Sequence, residues 1–133
     1  MLNLNFSYSR EKDALNWVNT AKDINPPFNF SYEASVAPIS EELLKEIIRL
    51  DKKEAVKKVL EYFSSGTRKK RQELKEEFIE YNISALNNHW QKHGEELVKK
   101  IEKIFGKFKI KTCDIFITTL YVCDYNYEEK YFY

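Results

Sequence analysis

The sequence predicts an α+β domain, with helices in the middle and strands at both ends. Three observations predict it. Apolar and polar residues alternate with period two near the N-terminus and again after residue 106. Apolar residues recur at spacings of three and four across residues 10–23 and 40–105. Proline and glycine fall at the joins, as Pro26, Pro27, Pro38, Gly66 and Gly106. A chain of 133 residues is long enough for one domain with a single core.

The elements follow in order. Leu2, Leu4, Phe6 and Tyr8 alternate with Asn3, Asn5, Ser7 and Ser9, which predicts a strand over 2–8 with one wet face. A helix is expected over 10–23, capped by Ser9, with Ala14, Trp17, Val18 and Ala21 as its buried stripe. Asn25, Pro26 and Pro27 stop it. Phe28, Phe30 and Tyr32 alternate with Asn29 and Ser31, so a second strand is expected over 28–33. If these two strands are neighbours, a parallel pairing through a right-handed crossover is favoured. Ser40 caps a helix over 40–50, with Leu43, Leu44, Ile47 and Ile48 on one stripe. Asp51 to Glu54 fits a capping box and opens a second short helix over 52–64, ended by Gly66 in the left-handed conformation.

Residues 67–105 then read as one long amphipathic helix, with Ile79, Ile83, Leu86, Trp90, Leu97, Ile101 and Ile104 at helical spacing. At 1.5 Å per residue such a helix outruns a domain of this size, so a bend or a protruding end is expected. Gly94 and the segment 82–88 are the candidate bends. Leu74, Phe78 and Tyr81 fall on a different face, which predicts cover on more than one side. Gly106 ends the helix. A C-terminal hairpin is expected from strands over 107–122 and 129–133, joined by the turn signal Asp124-Tyr125-Asn126-Tyr127. Together the strands are expected to form one mixed sheet on which the helices pack. The aromatic terminus Tyr131-Phe132-Tyr133 predicts an edge that a partner or a second copy covers, or a chain whose natural form continues.

Composition narrows function. Hydrophobic residues make up 43% and charged residues 32%, the balance of a soluble globular protein. A net charge of +1 gives no global field toward nucleic acid or an anionic membrane. No apolar run reaches the roughly 18 residues of a spanning helix. Residues 1–9 lack the apolar stretch of a signal peptide, so a cytoplasmic protein is expected. Cys113 and Cys123 have neither a CxxC spacing nor a nearby histidine, and read as buried thiols. Scattered glycines form no phosphate loop and no Gly-x-Ser-x-Gly elbow exists, and two histidines without a plausible nucleophile partner argue against a serine or cysteine hydrolase.

Two clusters carry candidate chemistry. His89 and His93 are four apart on the long helix, with Glu96 one turn on, a spacing that can hold a zinc ion. A histidine at the edge of the core is the structural alternative for His93, which falls near Trp90 and Leu97. Arg68, Lys69, Lys70 and Arg71 form a basic cluster suited to phosphate or RNA backbone. Glu73, Glu76, Glu77 and Glu80 follow at pairing distance and weigh against a nucleic-acid face.

The run Thr118-Thr119-Leu120-Tyr121-Val122-Cys123-Asp124-Tyr125-Asn126-Tyr127, followed by Lys130-Tyr131-Phe132-Tyr133, resembles the hairpin before the HExxH helix of some zincin-like metallopeptidases. Asp124 stands where that family's turn has proline, and the zinc motif itself is missing, so no catalytic residue carries over. The resemblance implies the front part, or a remnant, of such a protein. The residues themselves favour a non-catalytic structural or interaction module without a cofactor. Nucleic-acid contact through Arg68 to Arg71 is the further alternative.

Overall fold

The structure, a computed structural model, describes residues 1–22, 39–120, 125–126 and 131–132. Four helices and four strands are defined there. They run β1 (Asn3–Ser7), α1 (Arg10–Lys22), α2 (Glu41–Arg49), α3 (Lys52–Phe63), α4 (Gly66–Phe105), β2 (Thr112–Phe116), β3 (Tyr125–Asn126) and β4 (Tyr131–Phe132). The α+β class stands. The expected strand over 28–33 lies outside the described residues.

The helix boundaries follow from their caps. Ser9 Oγ accepts from Lys12 N at 3.3 Å, Ser40 Oγ from Leu43 N at 3.3 Å, and Asp51 Oδ1 from Glu54 N at 2.9 Å. Each side chain satisfies an N–H that the first helical turn leaves without a carbonyl. Gly66 at φ 55° opens α4 and Gly106 at φ 88° closes it, both in a region costly for a residue with a Cβ.

The sheet is mixed, in the order β1-β2-β4-β3. β1 pairs in parallel with β2, Phe6 opposite Ile115, so the two ends of the chain share one sheet. The expected hairpin is corrected. β2 covers only 112–116, and its pairing with β4 is parallel. The antiparallel partner of β4 is β3, at the residues read as the turn. The aromatic strand is therefore not an edge: Tyr131–Phe132 is paired on both sides, and β3 lies outermost.

Two apolar clusters hold these elements. The larger gathers Trp17, Val18, Ile47, Val59 and Phe63 from α1, α2 and α3 with Leu120, and the Trp17 and Phe63 rings meet edge to face at 5.0 Å. The smaller joins Leu2, Val98 and Cys113, with Leu4, Trp90 and Ile110 against them. α4 reaches both.

α4 runs unbroken for 40 residues, about 60 Å at the usual rise. Gly94 is not a break. It is buried, and a Cβ there would stand 2.7 Å from the Trp90 ring, so glycine makes room for the indole. The expected stripe is also corrected. Ile79, Gly94 and Val98 are buried with Arg68 and Gln72, whereas Leu86, Leu97 and Ile104 are exposed. Leu74, Phe78 and Tyr81, expected to be covered, are exposed, Phe78 at 70%. The helix end protrudes, with Ile104 74% and Phe105 82% exposed.

Candidate binding groove and the polar network behind it

The most ordered chemistry in the molecule surrounds Asp13, a carboxylate that is 1% exposed. Its Oδ1 accepts from Thr118 Oγ1 at 2.7 Å and from Thr119 N at 2.9 Å. Its Oδ2 accepts from Thr119 Oγ1 at 2.8 Å and from Gln72 Nε2 at 3.2 Å. Asn16 Nδ2 donates to Thr118 Oγ1 at 2.9 Å, and Trp17 Nε1 to Thr119 Oγ1 at 3.1 Å. A buried carboxylate is tolerable only when its lone pairs are met in this way. The helical period of α1 turns Asp13 and Asn16 inward beside Trp17. Sequence reasoning passed over both. The available signal was their position on the apolar stripe.

The Tyr8 hydroxyl extends the network. It lies 3.0 Å from Asp13 Oδ2 and 2.9 Å from Glu76 Oε1, and it accepts from Gln72 Nε2 at 3.1 Å. Burial and the two neighbouring carboxylates push its ionisation far above the ordinary tyrosine range, so it stays a donor. Arg10 grips Glu76 with two bonds, Nε to Oε1 at 2.8 Å and Nη2 to Oε2 at 2.7 Å. Burial raises the Glu76 pKa, but bonds from Arg10, Tyr8 and Gln72 outweigh it and hold the carboxyl below its usual range.

Arg68 corrects the basic cluster. It is only 5% exposed. Its guanidinium lies over Trp17 at 4.7 Å, with Phe63 at 5.6 Å and Tyr62 at 5.9 Å. Nε and Nη2 both donate to Gln72 Oε1, at 3.2 and 2.6 Å. Arg68 is thus part of the interior, while Lys69, Lys70 and Arg71 stay on the surface. One turn of α4 splits the four basic residues between core and solvent.

The histidines are brought together, with ring centroids 4.6 Å apart. Both are exposed, which corrects the reading of His93 as a core-edge residue. Glu96 Oε1 meets Lys100 Nζ at 2.6 Å. Among the described residues no three histidine, cysteine or carboxylate side chains are grouped to hold a metal. No described helix is long and apolar enough to cross a membrane.

A groove of about 690 Å³ opens between the first half of α4 and residues 117–120. Leu74, Phe78 and Ile79 line the helix side, and Ile117 and Leu120 the opposite wall. Lys70, Arg71 and Lys75 stand along it. Thr118 and Thr119, the residues tied to Asp13, complete the wall. The buried carboxylate therefore positions the segment that makes the groove. Burial, with the positive charges of Arg68 and Arg71 nearby, pushes the Lys75 amine below its ordinary range. No family model, curated protein or solved structure matches the chain.

Proposed function

We propose that this chain is a non-catalytic binding module whose working surface is the groove between α4 and residues 117–120. One observation carries the reading. The polar groups around Asp13 are turned inward and bonded to one another, whereas apolar side chains line an open concavity. The hydroxyls of Thr118 and Thr119 donate to Asp13 and accept from Asn16 and Trp17, which fixes both residues as parts of the groove wall. A groove of about 690 Å³ with apolar walls matches the size and character of small-molecule sites. Leu74 and Phe78, both largely exposed, would gain by being covered.

The test is a neutral environment-sensitive dye such as Nile red. The wild-type chain is expected to raise and blue-shift its emission. Phe78→Asp, at an exposed position, is expected to abolish the effect with an unchanged melting temperature. Emission that ignores Phe78→Asp, or no response at all, removes the groove as the working surface.

A further inference from the structure

We infer that the groove takes a single-chain amphiphile with an anionic head, of which an alkyl carboxylate is the simplest case. This rests on the binding-module reading above and names the ligand class for the same groove.

Charge complementarity carries it. The chain holds 22 basic and 21 acidic residues, yet among the described residues the groove lining contains three cations and no carboxylate. α4 separates its charges by side. Lys70, Arg71 and Lys75 border the groove, while Glu73, Glu76, Glu77 and Glu80 line a different concavity with Tyr8 and Arg10. Among the described residues none of the three cations forms an ion pair. Arg68 lies behind them, buried, with Nε and Nη2 bonded to the Gln72 amide oxygen. Three cations therefore stand together along an apolar surface on this side of the helix.

An anion placed there meets three cations that form no ion pair in the described structure, with Asp13 as the one carboxylate held behind the wall. Arg71 offers a fork of N–H donors to a carboxylate, and Lys75 a point charge beside it. The chain of the ligand would lie along Leu74, Phe78 and Ile117, where water gains nothing from remaining. Both features must be present in one molecule. A nucleic acid would bring phosphates to the cations but set its charged backbone against the apolar walls.

Calorimetric titration of the 133-residue chain with decanoate, decanol and decyltrimethylammonium tests this. Decanoate is expected to bind with one equivalent, about tenfold or more tighter than decanol, since a charge-assisted hydrogen bond contributes that much. The cationic analogue is expected to bind weakest. The double variant Arg71→Gln, Lys75→Gln should bring decanoate to the level of decanol and leave decanol unchanged. Equal binding of decanoate and decanol, or indifference to the double variant, overturns the anionic head while the groove stands. Failure of all three amphiphiles, together with a silent Nile red assay, overturns the groove as well. A ligand-free dimer in sedimentation that Phe78→Asp dissociates also overturns the proposal, because a second copy would then occupy the face.

Discussion

Asp13 shows how far a single side chain reaches. Its two oxygens bind donors from β2's outgoing segment and from α4, elements more than fifty residues away in sequence. Arg68 and Glu76 make the same point with opposite charges. Arg68 should behave as a core residue: Arg68→Ala is expected to cost about 2–4 kcal/mol, through lost packing and a Gln72 carbonyl left without its donor. Lys69→Gln and Lys70→Gln should stay within about 0.5 kcal/mol of wild type, as exposed substitutions do. Urea denaturation of the three variants checks the contrast. Glu76 sets an acid dependence. Its folded pKa is depressed, so its stabilisation is fully present above the ordinary glutamate range and is lost as pH falls through and below it. Thermal midpoints should therefore drop on acidification below about pH 4.5, and Glu76→Gln should start lower at neutral pH and fall less.

Among the elements, α4 is the one that the others are fitted to. It fastens β1 with one amide: Asn87 Oδ1 accepts from Phe6 N at 3.2 Å, and Asn87 Nδ2 donates to Phe6 O at 3.0 Å. Among the described strands β1 is an outer one, and this side chain bonds the backbone of Phe6 on the side away from β2. Asn87→Leu is expected to destabilise the fold by about 1–3 kcal/mol, because both backbone groups lose their partner at once. Hydrogen exchange should show the Phe6 amide losing protection in that variant while amides of α2 and α3 keep theirs relative to one another. Gly94 belongs to the same element and serves packing: only a residue without a Cβ leaves space for Trp90.

At the scale of the whole molecule, α4 packs into one apolar cluster with Val98 and Trp90 and covers the other with Arg68. Trp17 sits in one cluster and Trp90 against the other. If α4 couples them, unfolding is a single transition. In Trp90→Phe, the fluorescence of Trp17 and the far-ultraviolet helical signal should give coincident urea midpoints. Separated midpoints would mean that the clusters melt independently. The same coupling explains why the groove is a property of the assembled chain. Its helix side comes from residues 70–79 and its other wall from residues 117–120, held by Asp13 near the N-terminus.

Helix positions were legible because they depend on neighbours in sequence. The caps at Ser9, Ser40 and Asp51, the glycines at 66 and 106, and the stripe Ala14, Trp17, Val18 and Ala21 are local signals, and the structure keeps them. The joining of the N-terminal strand to the C-terminal half was also legible, from strands left without partners at both ends. Other features depended on what lies across space. A 3.6-residue period says that Arg68 and Gln72 share a face, but not that this face turns inward over Trp17. Alternation around residues 107–122 and 129–133 suggests strands, but not that Tyr125–Asn126 supplies the antiparallel partner and leaves β2 and β4 parallel. Local chemistry decides where the backbone can be helical or extended. Which face is buried, and which charges are left unpaired beside an apolar groove, is decided by contacts between segments far apart in the chain, because burial is an energy of the assembled surface and of no single stretch.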